Sequence, residues 1–242
     1  MAGHSHWAGI KHKKGRVDKE RSKIFSKLSK EITVAAKLGD KDPNMNPRLR
    51  TAIQAAKQAN MPKDNISRAI SKSEISGDKN YESLRYEGFG PFNVALIIET
   101  LTDNKNRSAS SIRTVLQKNG GRLGETGSTS HLFSNCGIIH IEKDKTKEEE
   151  IFEIAINFGA KDCINLEKIF EIITEKEDFY KIKTELEKKN QIINYSSIEW
   201  RPFNYINISK DKSKQLLEVL NALEELDDVQ SIFTNVNIRN LH

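Results

Sequence analysis

The order of apolar patterns in residues 135–198 is the strongest constraint on how this chain can fold. Strand patterns occur in GIIHIE, DCINL, KIFEIIT and QIINYSSI, and helix patterns occur in TKEEEIFEIAINFGA and DFYKIKTELEKKN. Apolar residues three to four apart indicate a helix, whereas short apolar or alternating runs indicate a strand. Along the chain the order is β-α-β-β-α-β, which is typical of a ferredoxin-like domain.

The segments on either side of this unit repeat the same pattern in two halves. Before it, VALIIETL and STSHLF predict strands that flank a helix through Ile112, Val115 and Leu116. After it, YINIS and VQSIFTNVNI predict strands around a helix from about Asp211 to Leu226. We therefore expect a second α+β domain of related architecture, into which the first is inserted.

The N-terminal part predicts three short amphipathic helices. The first, from residue 18 to 38, places Ile24, Leu28 and Ile32 on one face. Asn46 is a suitable N-cap for the second helix, and Pro62 begins the third. The predicted fold is α+β, with an N-terminal three-helix domain followed by two ferredoxin-like α+β domains, one inserted into the other. The predicted domains are 1–76 (basic arm and helical domain), 80–134 plus 199–242 (discontinuous α+β domain) and 135–198 (inserted domain).

The charges are divided unequally between these parts. Residues 1–76 hold 17 Lys and Arg against 7 Asp and Glu, whereas residues 77–242 hold 22 against 27. Such asymmetry predicts a polyanionic partner for the N-terminal part and none for the rest. The alternative is a solvated basic face in a sequence that is rich in lysine throughout.

The predicted contact residues are the cations and aromatic rings of this N-terminal part. Trp7 is expected either to stack on an unpaired base or to anchor the arm on the folded body. A helix from residue 18 places Lys19, Lys23, Lys27 and Lys30 in one stripe with phosphate-like spacing. Such contacts give steep salt dependence and little sequence discrimination. The predicted nucleic-acid-binding residues are Trp7, Lys11, His12, Lys13, Lys14, Arg16, Lys19, Arg21, Lys23, Lys27, Arg48, Arg50, Lys63 and Arg68.

Several enzyme signatures are absent from the sequence. There is no P-loop, and Gly88-Phe89-Gly90 does not continue as a dinucleotide fingerprint, because Asn93 occupies the third glycine position. His131 and His140 have no nucleophile beside them in a motif. The segment GGRLGETGS fits a helix C-cap and loop better than an anion cradle. We predict no catalytic residues, and the alternative is an enzyme with an anion-binding groove between the α+β domains.

No cofactor or metal is predicted. Cys136 and Cys163 are far apart and form no CxxC pair, which indicates buried thiols in a reducing compartment. Ala2-Gly3-His4 would suit a square-planar Cu(II) or Ni(II) site after removal of Met1, but flexible polar contacts explain it better. No apolar run approaches the roughly 20 residues of a membrane span, so we predict no membrane partner and a cytoplasmic location.

Seven segments together resemble the YebC family. They are MAGHSHWAGIKHKKG, KIFSKLSKEITVAAKLG, DPNMNPRLRTAI, ANMPKDNISRAI, RYEGFGP, VALIIETLTDNKNRS and KNGGRLGETGS. The family includes bacterial proteins described as probable transcriptional regulators and a mitochondrial translational activator of cytochrome c oxidase subunit I. The resemblance is dense as far as Phe133. One departure is Phe92-Asn93, where the family typically has a glycine pair.

This resemblance implies a three-domain, cytoplasmic, non-enzymatic regulator of gene expression. Two roles are implied, namely promoter binding as a DNA-binding transcriptional regulator and action on the ribosome that relieves stalling, for example at proline runs. The start of the chain coincides with the start of the family pattern, which favours the bacterial cytoplasm. The implied partners are nucleic acid (ribosomal RNA, tRNA or DNA) and the ribosome, and the oligomeric state stays open. A basic arm with an aromatic residue suits RNA slightly better than promoter DNA.

Overall fold

A computed structural model describes residues 17–75, 81–143, 147–189 and 191–236, and for residues 17–20 and 75 it describes the backbone alone. These residues form seven α-helices and two four-stranded antiparallel sheets. The predicted α+β fold with a helical N-terminal region is confirmed. Within the described residues, no helix combines the length and apolarity needed to cross a bilayer.

The helical head consists of α1 (Val17–Leu38), α2 (Pro47–Gln58) and α3 (Lys63–Ile75). The Asn46 side chain caps α2 by accepting a hydrogen bond from the Leu49 amide at 3.0 Å, and its own amide donates to the Ala35 carbonyl at 2.8 Å. One side chain thus starts α2 and fixes it to the end of α1. The buried core of the head contains Leu28, Ile32, Ala35, Leu49, Ala52, Ile53, Ala56, Ile66 and Ala69.

The inserted unit runs from β4 to β7 with the expected order of elements. Its elements are β4 (Phe133–Glu142), α5 (Glu148–Asn157), β5 (Asp162–Asn165), β6 (Ile169–Glu175), α6 (Phe179–Lys188) and β7 (Ile193–Pro202). The strand order is β5-β6-β4-β7 with every pair antiparallel, which is the ferredoxin-like arrangement. The helices cover one face, and their apolar stripes pack on residues such as Ile139, Ile141 and Ile172.

The other sheet is built from chain segments on both sides of the inserted unit. It contains β1 (Glu82–Phe89), β2 (Ala95–Thr102), β3 (Arg122–Leu123) and β8 (Val229–Thr234), in the order β3-β1-β2-β8. Helices α4 (Lys105–Lys118) and α7 (Lys210–Glu224) pack on one face of this sheet. The residue limits given above for the three domains stay predictions.

Two strands predicted for this sheet are not formed as expected. Ser130–Leu132, within STSHLF, is a 3₁₀ turn, and Phe133 already belongs to β4. In YINIS, Ile206 makes only an isolated bridge to Val236. On the side of β2 opposite β8, the neighbour is instead β1, which pairs with it along eight residues. Because a short turn joins β1 to β2, their pairing closes a smaller loop than pairing with a strand beyond the insert would.

Candidate nucleic-acid interface

The basic arm largely precedes the described part of the chain. Six predicted contact residues lie outside it, namely Trp7, Lys11, His12, Lys13, Lys14 and Arg16. Lys19 lies in the first turn of α1, where only the backbone is described. The contact roles of these residues therefore stay predictions.

Three lysines of the predicted α1 stripe contact the C-terminal end of α7 and the turn that follows it. Lys23 forms an ion pair with Glu225. Lys27 Nζ donates to the Glu224 carbonyl at 3.3 Å, and Lys30 Nζ donates to the Asp227 carbonyl at 2.9 Å. The last carbonyls of a helix lack partners within it and carry partial negative charge, so lysine side chains stabilise them. We call Lys23, Lys27 and Lys30 the docked cations, because these contacts hold the head on the following domain.

Burial of Lys27 has an electrostatic consequence. Loss of water contact lowers the pKa of its ammonium group below the ordinary lysine value, and the nearby Glu224 carboxylate opposes that shift only in part. Asp228, on the same docking surface, lies 3.5 Å from Lys30 Nζ and accepts hydrogen bonds from Arg107 and Ser108, each at 2.8 Å. Burial alone would raise the pKa of Asp228, but these hydrogen bonds outweigh it and the pKa lies below its ordinary value.

The two predicted arginines of α2 also make contacts within the chain. Arg48 forms a bidentate pair with Glu31, with Nε 2.7 Å from one carboxylate oxygen and a terminal nitrogen 3.1 Å from the other. Arg50 donates to the Pro43 carbonyl at 3.2 Å and to Thr184 Oγ1 on α6 at 3.4 Å. Arg48 therefore joins α1 to α2, and Arg50 helps to join the head to the inserted unit.

Lys183 is a buried cation between the head and the inserted unit, and the sequence analysis missed it. It is 3% exposed, and its ammonium donates to Thr51 Oγ1 at 2.9 Å and to Gln54 Oε1 at 2.6 Å. Burial lowers its pKa to about 8. The available signal was its position on α6, where it shares the apolar stripe with Phe179 and Leu186.

The predicted contact residues that remain exposed, Arg21, Lys63 and Arg68, lie near the turn between α2 and α3. We define Arg21, Lys57, Lys63 and Arg68, whose side chains are all exposed, as the corner cluster. Arg21 donates to the carbonyl of Asn60 in that turn at 3.4 Å, so the start of α1 lies beside it. Since the basic arm directly precedes α1, it joins the head at this corner.

The segment GGRLGETGS, together with the residues that follow it, binds an anion that belongs to the chain itself. The buried carboxylate of Glu87 accepts hydrogen bonds from the amides of Thr129 and Ser130, both at 2.8 Å. Its other oxygen lies 3.2 Å from Arg85 Nε. Burial would raise the pKa of Glu87, but the backbone amides outweigh it and lower the pKa to about 2. These amides are therefore already used by an internal carboxylate.

The inserted sheet presents carboxylates on the face opposite α5 and α6. Glu171 accepts from His140 Nε2 at 3.0 Å and from Arg201 at 2.7 Å, and these hydrogen bonds overcome the effect of burial and lower its pKa to about 2. The Tyr195 hydroxyl donates a hydrogen bond to the Glu199 carboxylate, and Tyr195 is only 8% exposed. A buried ring among carboxylates is a poor platform for stacking nucleic-acid bases.

The comparisons with known proteins cover both the head and the two sheets. The TACO1/YebC protein N-terminal domain matches residues 5–75, and the TACO1/YebC second and third domain matches residues 81–236. A probable transcriptional regulatory protein of Pelagibacter ubique is 57% identical over 240 residues, covering 99% of this chain and 100% of the relative. A protein of the same description from Zymomonas mobilis is 48% identical over 239 residues, covering 98% and 96%.

A solved structure supports the same assignment. The crystal structure of a conserved hypothetical protein from Aquifex aeolicus superimposes with a TM-score of 0.79 at 44% sequence identity, and the match covers 96% of both chains. The likeness therefore extends over nearly the whole length in both sequence and fold. We conclude that the chain belongs to the TACO1/YebC family.

Proposed function

We propose that this protein is a non-enzymatic, nucleic-acid-binding regulator of gene expression that acts in the cytoplasm. The basic arm and the corner cluster form its contact surface. The observation that carries the proposal is the convergence of exposed cations at the point where the arm joins the head. Cations grouped in this way bind phosphates through electrostatic attraction and counterion release.

RNA, with the ribosome as the site of action, is the favoured partner. Trp7, His6 and His12 lie among the lysines of the arm, and aromatic rings of this kind stack on the unpaired bases of folded RNA. Promoter DNA is the second candidate, because two relatives are called probable transcriptional regulatory proteins. The two candidates share the phosphate-binding surface and differ in what the arm contacts.

The enzyme alternative receives no support from the loop that suggested it. An anion bound by that loop would lie next to Glu87, whose buried carboxylate accepts hydrogen bonds from the amides of Thr129 and Ser130 directly after the loop. A bound substrate would have to displace a buried carboxylate that has its own hydrogen bonds.

Binding of the full-length chain to RNA and DNA tests the proposal. Fluorescence anisotropy with single-stranded RNA, duplex RNA and duplex DNA at low salt compares the wild type with a Lys11→Glu/Lys13→Glu/Lys14→Glu variant. We expect the variant to bind about tenfold or more weakly, with a smaller salt dependence. The matched control is Lys168→Glu/Lys176→Glu/Lys181→Glu, which makes the same charge change at three exposed lysines of the inserted unit.

Equal affinity of the arm variant and the wild type would overturn the proposal. Crosslinking in cells, followed by sequencing of the attached nucleic acid, separates the two candidates. Ribosomal RNA or tRNA is the expected product, and a predominance of promoter DNA would contradict the ribosomal version.

A further inference from the structure

The turn between β1 and β2 holds an aromatic residue in an unfavourable backbone conformation. Phe92 has φ 64° and ψ 23°, and Asn93 has φ 58°. Asparagine tolerates this left-handed region, but a bulky residue there is a genuine outlier, since its Cβ approaches the backbone too closely. Phe92 is nevertheless 40% exposed. Neither the backbone conformation nor burial therefore explains phenylalanine at this position.

Two cations flank this turn. Lys212 Nζ, in the first turn of α7, lies 5.0 Å from the centre of the Phe92 ring. Arg122 donates to Asn93 Oδ1 at 3.2 Å, and its guanidinium lies 4.5 Å from the centre of the Phe89 ring. Both cations have exposed side chains. We call Phe92, Asn93, Arg122 and Lys212 the Phe92 patch.

The Gly120-Gly121 turn fixes Arg122 beside this turn. Gly120 has φ 78° and ends α4, and the Gly121 amide donates back to the Leu116 carbonyl at 2.8 Å. A Cβ atom on Gly121 would lie 2.5 Å from the Phe89 carbonyl oxygen, so the two turns are in close backbone contact. Arg122 follows directly as the first residue of β3, which pairs with Phe89.

An exposed ring between two cations has a defined binding chemistry. The ring stacks on an unpaired base, and the cations bind the phosphates on either side of it. A cation over an exposed ring is held weakly, so Lys212 can turn from the ring toward a phosphate at little cost. The positive charge here is local, since residues 77–242 as a whole carry more acidic than basic residues.

We propose that the Phe92 patch is a second contact surface for single-stranded nucleic acid, in addition to the arm and corner cluster. This inference rests on the proposed function only in that the chain binds nucleic acid. The patch contacts the start of α7, whereas the docked cations contact its end, and the 15 residues of α7 separate them by roughly 20 Å. Because the corner cluster lies on the helical head and the Phe92 patch lies at the turn between β1 and β2, a single nucleic-acid strand would contact two separate domains of the protein.

A Phe92→Gly variant of the full-length chain tests this surface, because glycine adopts the left-handed conformation without strain. We expect its melting temperature to equal or exceed that of the wild type, while its affinity for single-stranded RNA falls about tenfold. Sequence-matched single-stranded DNA, measured in parallel, shows whether the patch distinguishes the two nucleic acids. If the Phe92 ring were needed only for packing, Phe92→Gly would instead lower the melting temperature and leave the RNA affinity unchanged.

The cations are tested separately by Arg122→Gln/Lys212→Gln, with Lys168→Gln/Lys176→Gln as the matched control. The slope of log affinity against log salt is expected to fall by about 1.4 for two lost phosphate contacts to a single strand, and the control is expected to keep the wild-type slope. Photocrosslinking with 4-thiouridine RNA is expected to label the peptide that contains Phe92.

Two results have different consequences. If the wild type binds RNA and Phe92→Gly binds it equally well, the patch belongs to another class of partner and this inference is overturned while the proposed function stands. If the wild type binds neither RNA nor DNA at low salt, both are overturned.

Discussion

The docked cations and the corner cluster lie on the same helical head and have opposite surroundings. Lys23, Lys27 and Lys30 contact acidic groups and carbonyls at the end of α7. Lys57 and Lys63, beside the turn between α2 and α3, have exposed side chains. A count of positive charge in the sequence treats the two sets alike, but the docked cations would have to leave acidic groups and carbonyls of α7 and the turn after it before they could approach a phosphate. The comparison therefore assigns the docked cations to domain docking and predicts that the corner cluster, rather than the docked cations, takes part in the proposed ligand binding.

The largest expected effect comes from reversing the charge of the corner cluster. An Arg21→Glu/Lys57→Glu/Lys63→Glu variant should bind RNA on the order of 100-fold more weakly at low salt, because three phosphate contacts become repulsive. Anisotropy titrations at several salt concentrations measure both the affinity and its slope. A loss of less than threefold would show that these residues are not the interface, and the contrast with the docked cations would disappear.

The same substitution at one member of each set is expected to have opposite effects. Lys27→Glu places a carboxylate beside Glu224 and Glu225 at the negative end of α7, so the free energy of unfolding should fall by about 2 kcal/mol with RNA affinity nearly unchanged. Lys63 lies in the first turn of α3, where a carboxylate is favourable. Lys63→Glu should therefore leave the free energy of unfolding unchanged while the RNA affinity falls. Urea unfolding and anisotropy of both variants measure the two effects, and similar profiles would contradict the distinction.

The smallest effect concerns Lys183, the buried cation with neutral hydrogen-bond partners. Its pKa is about 8 in the folded chain and near the ordinary 10.5 when unfolded, so the unfolded chain binds more protons between these values. The free energy of unfolding should therefore rise by about 1 kcal/mol between pH 8 and pH 9 from this group, and below about pH 7 Lys183 should make no contribution to its pH dependence.

A Lys183→Met variant isolates this contribution. The difference in unfolding free energy between the wild type and the variant, measured in urea at pH 7, 8 and 9, should increase with pH in favour of the wild type. A difference that does not change with pH would mean that Lys183 has the same pKa in the folded and unfolded chain. Lys183 would then not be buried against α2.

Local sequence patterns predicted much of this architecture for identifiable reasons. Asn46 followed by Pro47 predicted the start of α2, and the side chain does cap that helix. The β-α-β-β-α-β order of residues 135–198 predicted the inserted sheet. Such signals depend on interactions among residues close in sequence, so long-range contacts alter them little.

Predictions that required a choice of long-range partner succeeded less often. YINIS has a strand-like composition, but β1 takes the place next to β2, because a hairpin closes a shorter loop. The burial of Glu87 in its strand was not foreseen, since its amide partners come from a loop about 40 residues later. The predicted site stays a prediction, and charge alone could not distinguish docked cations from exposed ones.

The sequence by itself determined the α+β class, the three amphipathic helices and the excess of positive charge in the first 76 residues. Tertiary structure alone decided which of those charges face solvent. Lys27 and Glu224 are 197 positions apart, and their contact exists only because the head docks on the end of α7. Periodicity and net charge are properties of neighbouring residues, whereas the availability of a cation depends on every surface that packs against it.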